Sequence, residues 1–294
     1  MAPLPHAARG CHTGSMIFGD IRAWFRMARL GLHLACGAAI ITFVYPWVDG
    51  TARARLRQRW SKDLLSILHV DVSLTLGASG HLGLDRLPDH WSGHGMLVSN
   101  HISWLDIFVV NSVFTPVFVC KDDVRRWPFI GWLCARNEAV FIDRRRPSDA
   151  RRVSLEIAEK LRQGMLVAVF PEGTTSEGSG VLPFRSALLQ AAVNAGCPTL
   201  PLALRYLDAR YQATTSPSYC GEATFWDSLR AIAAQPALTA DIRALPPIAV
   251  GGRSRRALAL EAHESICAHL DAHRHGTEPQ AASEEQLEPA VIFP

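Results

Sequence analysis

Residues 95–121, GMLVSNHISWLDIFVVNSVFTPVFVCK, decide the fold. GMLVSNH (95–101) reads as a short buried strand that runs into a polar turn. SWLDIFVVNSVF (103–114) reads as a helix, and PVFVCK (116–121) as the next strand. Strand, helix, strand in close succession implies parallel pairing through right-handed crossovers. The same rhythm continues downstream. AVFIDR (139–144) reads as a strand, and Ser148 or Asp149 can cap a helix that carries Val153, Ile157 and Leu161 at helical spacing. Gly164 ends that helix, and MLVAVFPEG (165–173) is a strand entering a turn. FRSALLQAAVNAG (184–196) reads as a helix closed by Gly196, and TLPLALRY (199–206) as a strand. The pattern predicts an α/β class: a largely parallel mixed sheet flanked by helices.

In such sheets ligands bind beyond the carboxyl ends of the strands. His101, Lys121, Arg144, Glu172 and Arg205 stand at those ends in the sequence and are expected to share one rim. Asp106 lies five residues after His101. On an unbroken helix that spacing would turn the two about 140° apart, so a bend must intervene for them to meet. Ser103 supplies one, because Ser103 to Asp106 matches the S-x-x-D pattern of a capping box. Asp106 could then accept the Nδ1–H of His101 and leave Nε2 free to take a proton. The competing reading makes Asp106 a simple helix cap and His101 a polar loop residue. Arg144 closes VFIDR, and its fork suits a phosphate or a carboxylate; a solvated basic loop is the alternative. Glu172 and Gly173 follow Pro171 in a sharp turn whose Gly lets the backbone approach a ligand; an ordinary turn is the alternative.

Composition narrows the classes. The chain has 294 residues, 48% of them apolar and 19% charged, enough to build a packed core. A net charge of +3 is too small to mark a nucleic-acid binder. The seven cysteines include no C-x-x-C pair, so neither a disulfide framework nor a zinc site is expected. Leu30–Val48 has no Asp, Glu, Lys or Arg, long enough to span a bilayer or lie deep in one. Arg22, Arg26 and Arg29 precede it, and Arg53, Arg55, Arg57, Arg59 and Lys62 follow. Basic flanks on both sides favour a segment that enters one leaflet and keeps both ends near anionic headgroups; a single span with its more basic C-terminal side in the cytosol and a buried core helix are the alternatives. The expected organisation is a disordered start at 1–16, a membrane-associating helical region at 17–68, one α/β domain at 69–270 and a flexible tail at 271–294.

Rival chemistries lack their motifs. G-x-S-x-G, G-x-x-x-x-G-K-[ST] and H-E-x-x-H are all missing. His263, His269, His273 and His275 read as surface residues of the last helix and tail.

Four blocks in order resemble the glycerolipid acyltransferase family, in particular the 1-acylglycerol-3-phosphate acyltransferases: NHISWLD (100–106), EAVFIDR (138–144), FPEGTTS (170–176) and TLPLAL (199–204). The resemblance implies that fold, with N-terminal membrane-docking helices. It implies His101 as general base, Asp106 as its orienting partner and Arg144 as the holder of the acceptor's phosphate. It further implies that Glu172 and Gly173 help bind the glycerol portion, that Phe141 and Ile142 shape the pocket, and that Pro201 lies near the acyl-donor region. Lys121, placed on the rim by its strand end alone, is a further candidate for substrate binding. No metal or other cofactor is implied. Acyl-CoA or acyl carrier protein would be the co-substrate, and the acceptor 1-acylglycerol-3-phosphate, giving phosphatidic acid. A lyso-ornithine lipid is the alternative acceptor, and a non-catalytic membrane lipid-binding protein the alternative of another class. The implied place is the bacterial inner membrane, with the site facing the cytoplasm.

Overall fold

The computed structural model describes residues 13–76, 94–126, 130–143 and 147–274. Helix α1 (Thr13–Ala39) continues through a wide turn at Ile40–Val44 and a tight one at Tyr45–Trp47. Helix α2 (Gly50–Leu68) follows, its first turn capped by Asp49, which accepts the Ala52 N–H at 2.7 Å. His69 takes the left-handed conformation that stops α2 and turns the chain into strand β1 (Val70–Leu76). Then come β2 (Gly95–Ser99), α3 (Asp106–Val113), β3 (Val117–Lys121), α4 (Ile130–Arg136) and β4 (Val140–Ile142). The second half runs α5 (Pro147–Arg162), β5 (Leu166–Val169), α6 (Gln190–Ala195), β6 (Thr199–Asp208), α7 (Phe225–Ala234), β7 (Leu238–Ala244) and α8 (Arg255–Arg274).

These strands form one seven-stranded sheet in the order β1-β7-β6-β2-β5-β3-β4. Strands β6, β2, β5, β3 and β4 are mutually parallel, as the crossover rhythm predicts. The sheet is mixed because β7 runs antiparallel to β6, with β1 parallel to β7 at the edge. Strand β2 is buried at every position because both faces of the sheet are covered. Met96 and Val98 join Val167, Val169, Ile157 and Leu258 on the face under α5 and α8. Leu97, Phe118, Ala168, Leu202 and Leu204 face the other way, toward Leu64, Leu65 and Leu68 of α2 and Val109 of α3.

The segment from Ile21 to Trp47 is long and apolar enough to cross a membrane, and little of it is buried. Helix α1 is nonetheless fixed to the domain. The Arg26 guanidinium is buried and donates to the carbonyls of Ala233, Gln235 and Pro236 at the C-terminal end of α7. Ala233 is in the last turn of α7, where carbonyls lack intrahelical donors, and Gln235 and Pro236 follow just beyond the helix.

Two expectations need correction. The segment 184–196 becomes helical only from Gln190. Arg205 is not at a strand end, because β6 runs on to Asp208; it forms an ion pair with Asp241 of β7 at 2.8 Å. Expectations about residues 1–12, Arg144 to Arg146 and residues 275–294 lie outside the described residues.

Candidate active site

His101 stands two residues beyond the end of β2, at the carboxyl edge of the parallel strands. Its segment is held by three neighbours, one on β6 and two in the loop after β5. On the β6 side, the buried Asn100 amide donates to the Leu204 carbonyl and accepts the Leu204 N–H, both at 2.9 Å. From the turn after β5, Glu172 Oε1 accepts the His101 N–H at 2.7 Å. The His101 carbonyl accepts the Ser176 N–H at 2.9 Å.

The ring is fixed as well. His101 Nδ1 lies 2.8 Å from Asp106 Oδ2. A carboxylate only accepts, so Nδ1 carries the proton and Nε2 presents its lone pair. Among the described residues Nε2 meets no partner, and the side chain keeps 17% of its surface exposed, enough for a substrate hydroxyl to reach it. Phe170 stacks on the ring with centroids 4.0 Å apart and planes 12° from parallel, and Phe118 stacks behind Phe170 at 6.1 Å.

Asp106 is fully buried and begins α3. The two readings of this residue coexist. Its Oδ2 accepts the N–H groups of Ile102 (2.7 Å) and Ser103 (2.9 Å) as a helix-start residue does, and the same oxygen faces the imidazole. The capping box is only half formed, since the Ser103 hydroxyl accepts from Leu105 rather than from Asp106. Its other oxygen, Oδ1, accepts the hydroxyl of Tyr206 at 2.7 Å.

Glu172 is also buried, and both of its oxygens serve the backbone: Oε2 accepts the Leu182 N–H at 3.0 Å. Burial raises its carboxyl above the ordinary value, and the backbone N–H groups of His101 and Leu182 oppose that shift. Gly173, at φ +80, closes the turn by donating to the Phe170 carbonyl. A second loop packs beside this one. Tyr219 donates to the Ile102 carbonyl at 3.0 Å, and the Thr175 hydroxyl donates to the Tyr219 carbonyl.

Other predicted site residues are less closely gathered. Lys121 ends β3 on the same edge as His101, but its ammonium is well exposed and pairs with Asp123 at 3.0 Å. Phe141 and Ile142 alternate across β4. Ile142 enters the core beneath α5, while Phe141 lies under the Arg125 guanidinium, 4.4 Å from its ring centre. Pro201 sits inside the sheet level with Val98, three residues below His101. Its carbonyl accepts from Leu245, so its missing N–H faces the point where β7 has ended. Arg144 lies outside the described residues; just before it, the Asp143 N–H donates to Asp149 at 2.7 Å.

Three residues of the site escaped the sequence reading: Asn100, Phe170 and Tyr206. Period-two alternation could have found Tyr206, since it falls on the face of Leu202 and Leu204 and a buried phenol needs a partner.

The chain is similar to several known proteins. A family model described as Acyltransferase matches residues 82–205. A 1-acyl-sn-glycerol-3-phosphate acyltransferase of Neisseria gonorrhoeae is 39% identical over 150 residues, which are 51% of this chain and 56% of that enzyme. The chain therefore spans only about half the length of that relative. A lyso-ornithine lipid O-acyltransferase of Pseudomonas aeruginosa is 30% identical over 252 residues, covering 84% of this chain and 92% of the relative. The fold matches the crystal structure of the 1-acyl-sn-glycerophosphate acyltransferase of Thermotoga maritima with a TM-score of 0.66 at 21% identity, over 88% of this chain and 98% of that one. With a near-complete relative at that identity and the paired His101 and Asp106 at the strand edge, the chain belongs to the glycerolipid acyltransferase family.

Proposed function

We propose that the protein transfers a fatty acyl group from a thioester donor to the free hydroxyl of a lysolipid, with His101 as general base. The observation that carries this reading is the imidazole held at Nδ1 by a buried carboxylate while Nε2 stays open. A thioester is already activated, but an alcohol is a weak nucleophile. As the hydroxyl oxygen bonds to the thioester carbonyl carbon, its proton passes to His101 Nε2. The carbon–sulfur bond then breaks, and the departing thiolate recovers the proton from the imidazolium. Asp106 stabilises the imidazolium in between, as in a Ser-His-Asp site with the substrate hydroxyl in place of serine. Base catalysis of this kind contributes about 10²–10⁴-fold.

The donor is acyl-CoA or acyl carrier protein, and the acceptor is 1-acylglycerol-3-phosphate, whose acylation gives phosphatidic acid. Arg144, four-block spacing and the 39% identity to the Neisseria relative support this acceptor. A second acceptor, lyso-ornithine lipid, has its own support: the relatives that align over 84% and 90% of this chain carry that name. A guanidinium accepts a carboxylate as readily as a phosphate.

Purified protein in lipid with labelled acyl-CoA, offered both lysolipids in parallel, decides between them by kcat/KM. His101→Ala is expected to lower turnover by about 10²-fold or more with either acceptor. Activity retained at the wild-type level would end the base assignment. Arg144→Ala is expected to raise the acceptor KM more than it lowers kcat, as loss of uniform binding does.

A further inference from the structure

We propose that Tyr206 is a positioning residue of this reaction, setting through Asp106 how strongly His101 takes a proton. The proposal rests on His101 acting as base, and it assigns a second layer behind that base. The Asp106 carboxylate is fully buried and unevenly loaded. Its Oδ2 accepts from three donors, namely the backbone N–H groups of Ile102 and Ser103 and the Nδ1–H of His101. Its Oδ1 accepts the Tyr206 hydroxyl at 2.7 Å. A short O–H···O⁻ bond draws negative charge toward the oxygen that receives it. Here that oxygen is the one turned away from the imidazole, so the phenol tempers the pull of Asp106 on the imidazolium.

The phenol cannot act on a substrate directly, because Tyr206 is only 2% exposed and its ring lies in the core. Its aim is set by the sheet. Asn100, the neighbour of His101, is bonded twice to Leu204, two residues before Tyr206 on the same strand. One strand therefore fixes both the backbone beside the base and the donor behind its carboxylate. Among the described residues, the titratable groups facing His101 are Asp106 from α3, Glu172 from the turn after β5 and, through Asp106, Tyr206 from β6. The neutral ring of Phe170 covers one face of the imidazole.

The test is the pH dependence of kcat/KM. Tyr206→Phe keeps the ring and removes the hydroxyl, so charge returns to Oδ2 and the imidazolium is held more tightly. The acidic limb of the profile should then move to higher pH by on the order of half a unit, with acceptor KM unchanged. Replacing Tyr206 with 3-fluorotyrosine, a stronger donor of nearly the same shape, should move the limb to lower pH. This variant also covers the case in which the phenylalanine protein folds poorly. Superimposable profiles for wild type, phenylalanine and fluorotyrosine proteins, with any lost rate matched by lost folded protein, would overturn the proposal. A wild-type profile with no acidic limb, or an active His101→Ala enzyme, would instead strike at the base assignment on which it rests.

Discussion

Glu172 stands where the family pattern implies contact with the glycerol portion, yet both of its oxygens are committed to the protein's own N–H groups. A carboxylate accepts at both oxygens, whereas an amide must turn an NH₂ toward one of those donors. Glu172→Gln should therefore cost on the order of 1–3 kcal/mol of stability and lower kcat, while leaving the acceptor KM near wild type. Thermal unfolding and steady-state kinetics on the same sample check this, and a raised KM with unchanged stability would restore the substrate-binding role. Its titration has a definite sign. Burial raises the folded carboxyl above its ordinary 4.5, so the native state holds this proton longer than the unfolded chain. Stability from this group is then fullest below about pH 4.5 and is lost as the pH rises through the raised value. Glu172→Gln should flatten that stretch of the stability curve in denaturant titrations. His101 and Asp106 were legible at this scale because the bend that joins them is written in six consecutive residues, 101–106. Tyr206 was legible only as a buried phenol on the apolar face of its strand; its partner lies 100 residues away on α3, and only the fold brings the two together.

At the scale of elements, the parallel half of the sheet was readable because each strand is a short apolar run bounded by turn residues. Strand β6 illustrates the limit. Read as ending at Tyr206, it puts Arg205 on the rim; extended to Asp208, it leaves Arg205 beside Asp241 on one face and turns Tyr206 toward the site on the other. The antiparallel pairing with β7 that holds this extension is a long-range contact with no local signal. Helix α1 makes a comparable long-range attachment. The Arg26 guanidinium occupies the end of α7, and Arg26→Met keeps the aliphatic bulk while leaving those carbonyls without their donor. The expected loss is about 2 kcal/mol or more, and a lowered Tm with α1 more open to protease would register it.

Taken whole, the molecule exposes Trp24, Phe25, Leu32, Phe43 and Trp47 along and beyond α1, with Trp47 87% exposed. Large aromatics in such a row suit a membrane interface. Deleting residues 17–68 would be a poor test of membrane docking, since α2 contributes Leu64, Leu65 and Leu68 to the core. Changing Trp24, Phe43 and Trp47 together to Ser is the cleaner measurement. Vesicle flotation should fall several-fold while the far-UV spectrum and Tm stay close to wild type, because these side chains touch little of the protein.

Arg26 and its acceptors are 207 to 210 residues apart, and that distance has a cost during synthesis. At about 5–20 residues per second, the ribosome takes roughly 10–40 s to deliver the α7 end after the apolar segment has emerged. For that interval the nascent helix has no domain to lean on. A nearby bilayer would give it shelter, so the protein would be settled at the lipid surface before its active centre is assembled.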